Sequence, residues 1–129
     1  MRSKLVIHYV DGRVVRGWSP DLFPNKPTFH VTDWDTNETK LIQLSDLKGV
    51  FFVKDYNGGT DRQHRRYDLE RAGLGRRVRV HFCDGEVVEG YTNGYSGERL
   101  AFFVFPPDPE DNTERMLVVT KATTEVKLV

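Results

Sequence analysis

The chain has a single cysteine, Cys83, and no long apolar run. One thiol excludes an internal disulfide and fits a reducing compartment. The longest apolar stretches, at 50–53 and 100–105, fall far short of the roughly 20 residues a membrane helix needs. The first apolar run, residues 5–7, is too short for a secretory leader. A cytoplasmic protein with no membrane contact is therefore expected. Helix signals are nearly absent, limited to one turn near 45–47 and a short piece at 68–72 before Gly73. No Gly-rich phosphate loop, nucleophile elbow, His-Glu-x-x-His or paired Cys-x-x-Cys occurs. Carboxylates are plentiful but gather in loops such as 108–111, where solvation accounts for them. These absences point away from an enzyme, with no catalytic residues, cofactor or metal expected.

Net charge is also lacking, although its distribution is uneven. Residues 1–53 carry seven basic and six acidic side chains, a balance of +1. Residues 54–77 carry seven and four, +3, and residues 78–129 carry five and nine, −4. A nucleic-acid binder normally shows a broad basic face. Only the middle segment could supply one here.

What the sequence does have is an internal repeat. LVIHYVDGRVVRGWS (5–19) aligns without a gap on VRVHFCDGEVVEGYT (78–92). His8/His81, Asp11/Asp84, Gly12/Gly85, Val14/Val87, Val15/Val88 and Gly17/Gly90 are identical. Farther on, Phe29-His30-Val31 answers Phe102-Phe103-Val104, followed in each copy by a polar loop (33–39 and 106–113). Each copy ends in two apolar runs, 41–44 with 50–53 and 116–119 with 126–129.

Leu5, Ile7 and Tyr9 alternate with Val6, His8 and Val10, the period of a strand. Asp-Gly between apolar strands is a strong hairpin signal and predicts a type I′ turn at 11–12 and at 84–85. Gly17 and Gly90, inside the second strand, mark a bulge or sharp bend. About five short strands per copy predict an all-β protein of two tandem five-stranded barrels, Sm-like or Src-homology-3-like. The units are residues 1–53, an Arg-rich connector 54–77, and residues 78–129. A module this small buries little surface alone, so the two copies are expected to pack on each other.

The stretch GRRVRVHFCDGEVVEGYTNGYSGERLAFFVFPPDPEDNTERMLVV (75–119) resembles a family of uncharacterised bacterial proteins, a domain of unknown function. The likeness is close over the second copy and weaker over the first. More distantly the outline resembles Sm-like RNA-binding proteins, which would imply uracil-contacting loop residues and ring-forming strands. Their signatures are missing: Leu22-Phe23-Pro24 and Thr124-Glu125-Val126 stand at the matching places.

Several candidate sites follow from the residues. Arg62, Arg65, Arg66, Arg71, Arg76, Arg77 and Arg79 cluster around His64 and Tyr67. Arginine suits bidentate phosphate recognition and stacking on bases. Arg62, Arg65, Arg66, Arg71 and Tyr67 are thus the candidate binders of a phosphate-bearing ligand, a cyclic dinucleotide or single-stranded RNA. Arg62 and Arg66 have the Arg-x-x-x-Arg spacing of PilZ domains, which bind cyclic di-GMP. The second PilZ motif does not fit at 93–97. The plainer alternative is a solvated connector, or one lying on the acidic second copy.

Arg13 and Arg16 of copy one are replaced by Glu86 and Glu89 in copy two. If these strands face one another across a pseudo-two-fold, the reversal pairs opposite charges between the copies. His8 and His81 could form half a metal site, but without accompanying ligands they read as duplicated strand residues. Trp18, Trp34, Tyr91 and Tyr95 could form a stacking platform or close the ends of a small core. Cys83, with His81 two residues away and Val10 in its place in copy one, reads as unreactive. The expected function is a non-enzymatic binding or adaptor module, regulatory in a bacterial cell and contacting a protein partner, with the phosphate-ligand receptor as the alternative.

Overall fold

The structure is a computed structural model that describes residues 3–58 and 75–129. It is all-β. Copy one supplies β1 (Lys4–Tyr9), β2 (Val14–Trp18), β3 (Thr28–Asp33), β4 (Thr39–Gln43) and β5 (Leu47–Val53). Copy two supplies β6 (Arg76–Phe82), β7 (Val87–Thr92), β8 (Ala101–Val104), β9 (Thr113–Val119) and β10 (Thr123–Leu128). A 3-10 turn precedes the fifth strand of each copy, at Leu44–Asp46 and at Thr120–Ala122. The first matches the turn expected near 45–47. The helical piece expected at 68–72 lies outside the described residues.

The neighbour order is the same in both copies. Copy one runs β5-β1-β2-β3-β4. Copy two runs β10-β6-β7 and then continues to β8-β9 through a single bridge between Tyr91 and Phe105, bonded in both directions at 2.9 and 2.8 Å. The two closed barrels expected from the sequence do not form. Closure would pair the fourth strand of a copy with its own fifth. Instead β5 pairs with β9 of the other copy, making a seven-stranded sheet β4-β3-β2-β1-β5-β9-β8 beside the three-stranded sheet β10-β6-β7. The reason lies in side chains. β5 is buried on both faces through Leu47, Val50, Phe51, Phe52 and Val53, and β9 through Met116, Leu117, Val118 and Val119. β4 is exposed at Lys40 and Leu41, so it covers β5 less well than β9 does.

The seam sets Val50 opposite Leu117 and Phe51 opposite Met116. Gly49 is required there: a Cβ would lie 2.7 Å from both the Leu117 carbonyl oxygen and the Met116 methyl. One continuous core results, uniting Leu5, Ile7, Phe29 and Val50 with Val78, Val80, Phe102 and Met116. Two units that each bury little surface alone thus share one interior.

The hairpin turns differ from expectation. Gly12 and Gly85 have φ of +95° and +92°, but no other residue of either turn has positive φ. A type I′ turn needs two such residues. Here Gly12 N–H bonds the Tyr9 carbonyl and Tyr9 N–H bonds the Arg13 carbonyl, and Phe82, Gly85 and Glu86 repeat the pattern. This is a type I turn closed by a left-handed glycine, the three-residue hairpin. The Asp side chain supports it by accepting from the amide two residues on, at 3.0 Å (Arg13) and 2.9 Å (Glu86). No register shift marks a bulge at Gly17 or Gly90; each glycine is instead where a neighbouring backbone comes close. A Cβ on Gly17 would sit 2.1 Å from the Thr32 carbonyl oxygen, and one on Gly90 2.4 Å from that of Phe105.

Candidate functional site

The surface along the line where the copies meet carries a groove of three adjoining depressions. The first, about 520 Å3, lies between Pro24 and Asn25 of copy one and residues 98–101 of copy two. The second, about 350 Å3, shares Arg99 and Leu100 with it and adds Pro27, Gln43, Thr120 and Lys121. The third, about 300 Å3, shares Ser45 and Lys121 with the second and is closed by Val10, Lys48 and Cys83. Both copies line every depression.

The second and third depressions are mainly apolar with cations at their rims, while the first is lined by Glu98 as well as Arg99 and the third by Asp84 as well as Lys48. Val10 and Leu100 are 62% and 47% exposed. Leu100 is held there because its carbonyl accepts from Thr120 N–H at 3.0 Å at the end of the β8–β9 ladder. Arg99 and Lys121 flank it, and neither forms an ion pair among the described residues. The Thr120 hydroxyl is buried there without a hydrogen-bond partner. Nothing in the sequence marks these residues as a site: the repeat aligns Lys121 with Ser45, and Leu100 only opens the apolar run 100–105.

At the third depression the Asp84-Gly85 turn of copy two reaches β5 of copy one. Lys48 Nζ lies 2.7 Å from Asp84 and 2.5 Å from Glu86, and 4.8 Å above the Phe82 ring. Burial alone would lower the Lys48 pKa, but the two carboxylates outweigh it and hold it above the usual lysine range. The same bond, with the Glu86 amide, holds Asp84 below the usual carboxylate range. His8 lies on the neighbouring strand, its ring 4.7 Å from Phe51 and its Nε2 buried without a partner. Burial lowers its pKa, Lys48 and Arg16 lower it further, and Glu86 opposes.

The candidate residues from the sequence are placed as follows. Arg62, Arg65, Arg66, Arg71, His64 and Tyr67 lie outside the described residues. Arg79 pairs with Glu89 at 2.9 Å across β6 and β7, within copy two. Arg13 pairs with Asp11 of its own turn at 2.8 Å. β2 and β7, which carry Arg16 and Glu89, are not neighbours in either sheet. The copies join head to tail through unlike strands, so equivalent positions do not face one another. Of the four charge-reversed residues, Glu86 reaches the other copy, and its cation there is Lys48. Among the described residues no group of three or more His, Cys, Asp or Glu could hold a metal ion.

Two of the aromatics close the core, and Trp34 stays partly exposed. Tyr91 is buried and Tyr95 packs edge-on against Phe102 at 4.6 Å, closing the core. Trp34 is 45% exposed and lies 4.6 Å from Tyr56, whose hydroxyl donates to the Gly17 carbonyl at 2.7 Å. The sequence did not suggest the Ser19–Asp21–His30 chain. Asp21 accepts from the His30 amide at 2.7 Å, contacts its Nδ1 at 2.6 Å, and bonds the Ser19 hydroxyl at 3.1 Å. The carboxylate sits between serine and histidine, so the histidine is not placed to take the serine proton. The set ties the 19–21 segment to β3.

No helix among the described residues is long and apolar enough to cross a membrane. No curated protein and no solved structure matches the chain. Residues 1–129 match the family described as Family of unknown function (DUF6982), and the chain belongs to that family.

Proposed function

We propose that the protein is a non-enzymatic binding or adaptor module, regulatory in a bacterial cytoplasm, that holds an extended segment of a partner protein in the groove between its copies. The observation that carries this reading is the pairing of exposed Leu100 and Val10 with two cations, Arg99 and Lys121, that have no ionic partner among the described residues. Arg99 and Lys121 are exposed and free to meet an anion, and beside them the Thr120 hydroxyl is buried without a partner, although buried polar groups normally find one. A groove lined by apolar surface with a few unsatisfied polar groups is the usual form of a recognition site. The ligand that fits has apolar side chains and a carboxylate.

Selection of displayed peptides on the immobilised protein tests this. Enriched sequences should combine apolar and acidic residues, and their affinity should fall at least tenfold in R99E/K121E, about 1.4 kcal/mol. The competing reading is a receptor for a phosphate-bearing ligand, cyclic dinucleotide or single-stranded RNA, using Arg62, Arg65, Arg66, Arg71 and Tyr67. It gains if peptides fail to enrich while nucleotide binding is lost in R65A/R66A, falls with salt, and survives in R99E/K121E.

A further inference from the structure

Two edges of the fold repeat the backbone pattern of the seam that joins the copies. The seam uses the fifth strand of copy one, β5, and the fourth strand of copy two, β9. Left over are the fourth strand of copy one, β4, and the fifth of copy two, β10. Among the described residues each pairs on one side only, β4 with β3 and β10 with β6. A second molecule could therefore extend the seam head to tail.

The backbone is aligned for that contact. In an antiparallel ladder, successive residues point their amides alternately toward and away from a given neighbour. Leu44 N–H bonds the Pro27 carbonyl at 2.8 Å, so Ile42 and Lys40 face β3 and Leu41 faces outward. Thr120 N–H bonds the Leu100 carbonyl in the same way, so Leu117, the counterpart of Leu41, faces β5. On the other edge Val129 N–H bonds the Arg77 carbonyl at 2.9 Å. Lys127 thus faces β6, while Val126 and Leu128 face outward, in the places of Val50 and Phe52.

Side chains decide against the contact. Carrying the seam's register to these edges sets Val126 opposite Leu41, as Val50 is opposite Leu117. It also sets Lys127 opposite Lys40, where the seam has Phe51 opposite Met116. A buried apolar pair has become two exposed lysines. Lys127 is partly compensated by Glu125 at 3.6 Å, while Lys40 has no ion pair among the described residues. Like charges directly opposite on neighbouring strands destabilise the pairing, and lysine on an edge strand is a recurrent guard against edge-to-edge association. A head-to-tail contact that does not close grows without limit, so such a guard has large consequences.

We infer that Lys40 and Lys127 keep the protein from assembling head to tail with further copies of itself, along edges otherwise matched to each other. Sedimentation velocity across micromolar concentrations tests this. The unaltered protein should run as one species of 14.9 kDa. K40M/K127F should form a concentration-dependent series of larger species. Adding L41P to that variant should return it to the single species, because proline is tolerated where the amide faces outward but cannot donate across the new seam. K127E, which sets a carboxylate opposite Lys40, should associate weakly and lose the association in salt; it decides the matter if the double variant fails to fold. The inference is overturned if the unaltered protein already forms the series, if folded K40M/K127F stays a single species, or if L41P leaves the assembly intact.

Discussion

β5 and β10 occupy the same place in the two copies, yet one is buried and the other exposed. β5 lies between β1 and β9 and hides Leu47 and Val50–Val53, whereas β10 has, among the described residues, a neighbour on one side and exposes Thr124, Glu125, Lys127 and Leu128. β4 and β9 show the opposite pattern, with the copy-two strand buried and the copy-one strand exposed. A duplicated strand keeps its backbone path because its turns and bend glycines are duplicated with it. Its side chains follow what covers it. The difference between the copies is therefore a record of the seam.

The sharpest way to break this comparison is to substitute equivalent positions. Phe51 is 4% exposed in the seam, and Phe51→Ala should cost about 3–5 kcal/mol through lost transfer energy and the cavity left behind. Lys127→Ala, at the counterpart on β10, should change stability by no more than about 0.5 kcal/mol. Urea denaturation of both variants gives the two values, and similar losses would mean that β10 is as covered as β5. A second test concerns what the copies share. Gly17→Ala and Gly90→Ala both drive a Cβ into a backbone carbonyl, so each should cost about 1–3 kcal/mol or more. Unlike the first pair, these two should resemble each other.

Much of the fold was legible, and what was not has one cause. Period-two alternation at 5–9 and the Asp-Gly pairs are local signals, and they correspond to β1 and to the two hairpins, although Val6 is buried along with Leu5 and Ile7. The exchange of partners at β5 is not local. Phe51 and Phe52 signal burial without saying which strand buries them, so closure onto β4 and pairing with β9 read alike. The type I′ expectation failed for a related reason, since Asp-Gly marks a turn without fixing how many of its residues are left-handed. The groove was invisible because the β8–β9 ladder brings Arg99 and Leu100 beside Lys121, and the seam then sets them against Pro27 and Gln43 of copy one. Glu86 was noticed through its charge reversal, but its partner Lys48 was not, because Lys48 lies on the strand whose neighbours the sequence leaves open.

Equivalent ion pairs sharpen the comparison on a smaller scale. The Asp84 turn binds Lys48, whose side chain is 14% exposed, while the Asp11 turn binds Arg13, which is 68% exposed. A double-mutant cycle of K48M with E86Q should give a coupling of about 0.5–1.5 kcal/mol, reduced from a fully buried pair because Glu86 is half exposed. The cycle of R13A with D11A should give no measurable coupling, because both partners are open to solvent. Coupling of equal size in both copies would show that the seam does not protect Lys48.

The smallest expected effect is a change of slope with pH. His8 sits under the seam, faced by Lys48 from β5, Arg16 from β2 and Glu86 from the copy-two hairpin. Burial holds its folded pKa below the unfolded value of 6.5, with both cations adding to the depression. Between those two values the unfolded chain binds more protons than the folded one, so stability rises with pH there. Acidification should begin to erode stability as pH falls through 6.5 and stop once pH is below the folded value. Asp84 is also depressed, but from 3.8, so its contribution begins to be lost only at lower pH than that of His8. His8→Leu should flatten the slope just below pH 6.5, above the range in which Asp84 titrates. Urea midpoints measured in small pH steps test this. An unchanged slope would mean that the buried Nε2 is not what makes this seam sensitive to protons.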